Sequence, residues 1–222
     1  MLKELFMLTG KELLSEWRQR YAIGGLLLYV FSSAFVAYIG FGVLRIPVGP
    51  GTWNVLYWVI MLFAAVNSVA RSFIQESPGR LLYFYTIASP QAIILSKILF
   101  NALLMAALAA ACLAVFMLLL GNPVENLPLF ILGSLTGALG FSSVFTLISG
   151  IASKASQSSV LMAILGFPIV LPLLLSLIRL SALAIDGFDL ASAARYLMIL
   201  ISIIAISITA SVLLFPYLWR SN

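Results

Sequence analysis

Along the first twenty residues polar and apolar positions alternate with a helical period. At about 100° per residue, Leu2, Phe6, Met7, Leu13, Leu14 and Trp17 gather on one side, and Glu4, Lys11, Glu12, Glu16 and Arg18 gather on the other. Lys3 intrudes on the apolar stripe. This pattern predicts an amphipathic helix over 1–20 that lies in the membrane interface. It does not read as a signal peptide, because the apolar run that follows is too long and no small-residue cleavage site ends it.

From Tyr21 onward the pattern changes to long apolar runs separated by short polar breaks. Six spanning segments are expected, at about Tyr21–Leu44, Trp53–Ala70, Ile93–Leu120, Leu129–Ser149, Ser158–Ile178 and Tyr196–Leu218. Each is long enough for a hydrocarbon layer of about 30 Å. The breaks carry turn and helix-end residues, such as Pro47-Val48-Gly49-Pro50-Gly51 and Gly121-Asn122-Pro123. We therefore divide the chain into an interfacial helix, 1–20, and one six-helix transmembrane domain, 21–222. Trp53, Trp58, Tyr196, Tyr217 and Trp219 fall near segment ends, where interfacial anchors are expected.

Composition supports the membrane assignment. Of 222 residues 63% are apolar and 9% charged, and the mean hydropathy is +1.16. A soluble domain of this size needs a polar coat that this chain lacks. Charge placement sets the orientation. With the N-terminus inside, Lys3, Lys11, Arg18, Arg20, Arg71, Arg80, Lys97, Lys154 and Arg220 are cytoplasmic, and Arg45, Arg179 and Arg195 are outside. That asymmetry places both termini in the cytoplasm.

The chain has no histidine and a single cysteine, Cys112. The commonest general base, metal ligand and haem ligand is therefore missing, and a Cys cluster cannot form. No acid or base lies mid-span, which disfavours an ion path, a proton relay or an intramembrane protease. Neither catalysis nor a metal site is expected, and no nucleic-acid partner. Gly133 and Gly137 form a GxxxG pair, read as intrachain helix packing. Asn67 and Asn101 are expected to bond to neighbouring helices, and Cys112 to be a buried small hydrophobe. Pro168 and Pro172, four apart in the fifth segment, are candidates for a helix kink and a gate. The stretch Arg179–Arg195 reads as the longest outer segment, with Asp189 able to cap a short helix over Leu190–Arg195.

The longest inner loop, 71–91, reads RSFIQESPGRLLYFYTIASPQ. Ser77-Pro78 and Ser89-Pro90 are both helix-start signals, Ser as N-cap and Pro at the first helical position. The short helix between them carries Leu81, Leu82, Tyr83, Phe84 and Tyr85. Such side chains either tuck into the headgroups or dock into a groove on a soluble partner. No phosphate-binding GxxxxGK[ST] motif occurs, so any ATP hydrolysis belongs to another polypeptide.

The run Glu76, Gly79, Leu82, Ser89-Pro90 and Leu95-Ser96-Lys97 resembles the region between the second and third helices of ABC-2 type transporter permeases. The stretch 151–181, IASKASQSSVLMAILGFPIVLPLLLSLIRLS, is more specific and resembles haem exporter protein B, the B subunit of the cytochrome c maturation system. The resemblance implies an ABC-2 permease fold of the type V exporter kind in a bacterial inner membrane. It also implies a cytoplasmic ATPase partner, a haem-handling membrane subunit, a small single-helix subunit and a periplasmic haem chaperone. Haem would be the transported or handled ligand, with no cofactor bound by this chain alone and ATP bound on the partner. Glu76, Pro78, Gly79, Arg80, Leu82, Tyr83 and Phe84 would form the ATPase-docking loop. A generic ABC-2 permease for lipid, glycan or drug is the competing assignment.

Overall fold

The computed structural model describes residues 2–18, 20–69, 89–152 and 158–220. Among these residues there are seven helices: α1 (Leu2–Arg18), α2 (Arg20–Leu44), α3 (Pro50–Val69), α4 (Pro90–Leu120), α5 (Leu127–Ala152), α6 (Ser158–Ile185) and α7 (Leu190–Arg220). The last six are long and apolar enough to cross a membrane. Helix is the expected solution, because only helices and closed barrels satisfy every backbone polar group without water.

The six long helices define two ends of a bundle. One end carries the short connections 45–49, 121–126 and 186–189. The other carries α1, the ends of α3, α5 and α7, and the start of α4. Helix α5 is central: it packs on α3, α4, α6 and α7, and its buried face runs continuously from Phe141 to Gly150. Gly133, Gly137 and Gly140 let neighbours approach closely. A Cβ at Gly137 would sit 2.7 Å from the Trp58 ring, one at Gly140 would sit 2.7 Å from Leu173, and one at Gly133 would collide with Leu180. The GxxxG pair thus serves intrachain packing, as its small residues suggest. Helix α2, by contrast, leaves Leu28, Phe31, Phe35, Val36, Ile39 and Val43 exposed to the surroundings of the bundle.

The expected boundaries need correction at one hairpin. Arg179–Arg195 is not a long outer segment: α6 continues to Ile185 and α7 begins at Leu190. Four residues, Asp186–Asp189, make the turn. Gly187 adopts φ 77° there, and Phe188 N–H donates to the Leu183 carbonyl at 2.9 Å. Asp189 does cap a helix, but the helix is α7 itself, through Ser192 N–H at 3.1 Å. Long arginine side chains extend along a span toward its polar end, so Arg179 and Arg195 do not mark the helix limits.

Helix α2 ends in a cap in which Arg45 takes the left-handed position usually held by glycine, at φ 52°. Ile46 N–H donates to the Phe41 carbonyl at 3.1 Å and Arg45 N–H to Gly42 at 3.2 Å, the paired bonds of a Schellman motif.

Candidate functional site

Most of the loop expected to dock an ATPase, including Glu76, Pro78, Gly79, Arg80, Leu82, Tyr83 and Phe84, lies outside the described residues. Its C-terminal margin does not, and it rests on α1. Pro90 occupies the first turn of α4, as expected, and Ser89 has the extended N-cap conformation. The Ser89 hydroxyl makes no capping bond. It donates instead to Glu4 Oε2 of α1 at 3.2 Å.

Two turns further on, Lys97 is buried, its side chain only 5% exposed, with Glu12 Oε1 at 4.0 Å. Glu12 is also 3.2 Å from Lys11. An ammonium so deep in an apolar helix needs a carboxylate nearby, because its desolvation otherwise costs several kcal/mol. Two acidic residues of α1 therefore grip α4 at its entrance and about two turns inside it. Leu8 adds an apolar contact to the cluster of Ile93, Ile94, Ile98 and Phe215.

The face that α1 uses differs from the one its pattern emphasises. Phe6, Met7, Leu13 and Leu14 are exposed, whereas Leu8, buried Thr9 and Glu12 meet the bundle. Thr9 returns its hydroxyl to the Leu5 carbonyl at 2.8 Å, so it packs without an unsatisfied donor. The polar side of the helix supplies the grip, and the apolar stripe is turned away from α4.

Behind this platform α4 is fastened to α5 by polar bonds inside the span. Asn101 donates to Thr146 Oγ1 at 3.0 Å, and Ser142 donates to the Ile98 carbonyl at 2.6 Å. Asn101 behaves as the sequence suggests. Asn67 does not: it bonds to Phe63 of its own helix at 2.9 Å. Cys112 is fully buried.

A second constellation lies toward the short-loop end and was not visible as such in the sequence. Trp53 and Trp58 are buried, not interfacial. Trp58 donates its indole N–H to Ser181 Oγ at 2.6 Å, Ser181 donates to Asn54 Oδ1 at 2.8 Å, and Asn54 donates to the Ile178 carbonyl at 2.9 Å. Trp53 donates to the Gly121 carbonyl at 3.1 Å. Tyr57 stacks on Trp53 and meets Phe116 and Phe130 edge-on, while its hydroxyl reaches Ser134 at 3.1 Å. Indole N–H groups accept burial when a partner is built in, which is why tryptophans near span ends moved inward here. Tyr217 remains exposed at the opposite end. Among the described residues no buried side-chain polar atom lacks a partner, so this knot is structural.

Pro168 and Pro172 both lie inside α6, on its exposed face. Among the described residues no group of three or more Cys, Asp or Glu side chains converges as a metal site.

A model of the CcmB protein family matches residues 5–220. Neither curated proteins nor solved structures yield a match.

Proposed function

The chain belongs to the CcmB family, that of haem exporter protein B, and from this premise we propose that it is the permease subunit of an ATP-driven ABC transporter complex in cytochrome c-type biogenesis. The observation that carries the proposal is the family match across nearly the whole chain, together with six helices of spanning length.

In this reading both termini face the cytoplasm of a bacterial inner membrane, as the distribution of Lys and Arg favours. The α1 end is then cytoplasmic, and the exposed Phe6, Met7, Leu13 and Leu14 sink into the headgroup boundary. A separate ATPase docks on 71–91, with Tyr83 and Phe84 as aromatic anchors and Glu76, Pro78, Gly79, Arg80 and Leu82 shaping the helix that carries them. Its motion reaches α4 through Ser89-Pro90, where α1 holds the helix. A haem-handling membrane subunit, a small single-helix subunit and a periplasmic haem chaperone complete the complex.

The chain offers only Met, Tyr or Cys112 as an axial haem ligand. It therefore acts less by gripping haem iron than by using ATP-driven movement to free the loaded chaperone. Purified alone, the subunit should show no strong axial-ligand haem spectrum.

The deciding experiment is co-purification in detergent. Tyr83→Ala with Phe84→Ala should release the ATPase from the complex while the permease still inserts, since buried aromatic anchors carry about 2 kcal/mol or more each. Asp186→Ala, at the opposite end, should leave the association intact. ATPase retained by the double variant at wild-type stoichiometry would show that 71–91 is not the docking element.

A further inference from the structure

The α6–α7 turn and the start of α7 expose every residue from Asp186 to Ser192. Two of them are large and apolar, Phe188 and Leu190, 49% and 56% exposed. An aromatic ring left open on a turn commonly belongs to a mobile loop, but this turn is tied down. Phe188 N–H donates to the Leu183 carbonyl at 2.9 Å, and its carbonyl accepts from the Asn126 side-chain amide at 2.8 Å. Asn126 also donates its backbone N–H to the Ala184 carbonyl at 2.9 Å. The connection 121–126 thus braces the turn, and a ring held in advance carries little ordering cost into a complex.

The surroundings of the ring are acidic. Glu125, Asp186 and Asp189 are three of the seven acids in a chain of net charge +5, and all three are exposed. The Glu125 carboxylate lies against Gly187, where a Cβ would collide with it, so it sits beside the turn although it belongs to the neighbouring connection. Neither 121–126 nor 186–192 contains a Lys or Arg. Among the described residues no Lys or Arg pairs with these acids. Arg179 and Arg195 stand about 8–9 Å further down α6 and α7, and Arg45 belongs to the separate connection 45–49.

We propose that this tip docks a soluble domain on the outer side of the membrane, one that seats Phe188 in an apolar pocket rimmed by Lys or Arg. Buried aromatic anchors dominate such contacts, and opposite charge around them sets register and partner choice. A bilayer fits poorly. Asp186 stands two positions before Phe188 and Asp189 directly after it, so the ring cannot sink without carrying carboxylates toward lipid phosphates and hydrocarbon. A soluble domain with an acidic rim meets like charge and is selected against. Contact at the tip leaves the sides of the bundle to other helices. The inference rests on the reading that places the short-loop end outside.

The test places a photoreactive benzoylphenylalanine at Leu190 in the full complex in intact cells. The expected product is one adduct with a soluble domain outside the membrane, whose cross-linked peptide, identified by sequencing, carries Lys or Arg. Phe188→Ala should lower its yield about tenfold or more, and Phe188→Leu should retain more of it. Asp186→Asn with Glu125→Gln should lower the yield severalfold, with Asp189 left in place because it caps α7. Asp186→Lys should lower it further. Exchanging the partner's facing Lys or Arg for Glu should then restore the adduct, which a misfolded variant would not allow. Adducts only with lipid, only with a second copy or only with membrane spans would overturn the proposal, as would no adduct or a yield indifferent to Phe188→Ala. Labelling Leu190→Cys with a membrane-impermeant maleimide, and scoring the ATPase in the same cells, separates the readings. A labelled complex that keeps its ATPase but gives no such adduct refutes the tip alone. A site that cannot be labelled from outside refutes the orientation and the tip together.

Discussion

The two ends of the bundle are held by different physics. At the short-loop end the helices are stitched by many short, neutral hydrogen bonds around aromatic rings. Trp53 reaches the α4–α5 connection at Gly121, and Trp58, Ser181 and Asn54 join α3 to α6. Asn126 then ties the 121–126 connection to the α6–α7 turn, through its N–H to Ala184 at 2.9 Å and its amide to Phe188 at 2.8 Å. At the α1 end, the start of α4 is held by two acids of an added helix, one of them in an ion pair at 4.0 Å, and by Leu8 against Ile93, Ile94 and Ile98. Rings and neutral bonds in a dry core fix one arrangement. At the α1 end the acid partners Glu4 and Glu12 stay partly hydrated while Lys97 is buried, so the grip there depends on charge rather than on ring packing. The short-loop end is thus held by packed rings and neutral bonds, and the α1 end by charged partners.

Truncating the knot should have the largest effect. Trp58→Ala leaves a cavity beside Phe141 and removes the donor to Ser181, and should cost about 3–5 kcal/mol. Thermal unfolding in detergent measures it. A loss below about 1 kcal/mol would mean that the short-loop end is not the anchor.

Glycines sharpen the contrast at a smaller scale. Gly137→Ala forces a methyl against the Trp58 ring at 2.7 Å and should destabilise by about 1–3 kcal/mol. Gly25→Ala, near the α1 end, meets nothing within 4 Å and should be neutral or stabilising by up to about 1 kcal/mol through helix propensity. Paired melting curves of the two variants give the answer.

The ion pair predicts an asymmetry between its partners. Glu12→Gln removes a carboxylate from beside the buried Lys97 ammonium, while Lys97→Met leaves Glu12, whose side chain is 22% exposed and therefore partly hydrated. The first should loosen α1 by about 1–2 kcal/mol, discounted for that exposure, and the second by less. Hydrogen exchange along α1 reads both, and equal effects would remove the distinction between buried and exposed partners.

The smallest effect belongs to the α7 cap. The Ser192 hydroxyl and amide hold the exposed Asp189 carboxyl below the ordinary aspartate value of 3.8. The cap is complete above that value and is lost as pH falls through the lower folded one. The Asp189 carboxyl signal in an NMR titration should have its midpoint below 3.8, and Ser192→Ala should move it upward.

Much of this was legible in the sequence, and the misses share a cause. Six runs of apolar residues give six spans because length and hydropathy alone decide them. Hydropathy does not say which face of a span meets protein. Trp53 and Trp58 therefore read as interfacial, and the α6–α7 hairpin was broken at Arg179 and Arg195, whose charges sit within continuous helix. The period of α1 predicts its helix, and the helix is there, but the side that packs on the bundle includes the polar residues Thr9 and Glu12. That pairing connects positions far apart in the chain, and no local pattern reports it. Asn101 was accessible because an amide in a span must find a partner, and Asn67 shows that its own helix can suffice.

The bond from Glu4 to Ser89 also bears on how the protein is made. Eighty-five positions separate the two residues, and at synthesis rates of roughly 5–20 residues per second the first waits about 4 to 17 seconds for the second to emerge. During that interval α1 has none of its contacts on α4. Its Phe6, Met7, Leu13 and Leu14 are exposed in the finished fold as well, so none of them waits for α4. The final locking of the entrance therefore waits for α4, which ends at Leu120, just past the midpoint of the 222-residue chain.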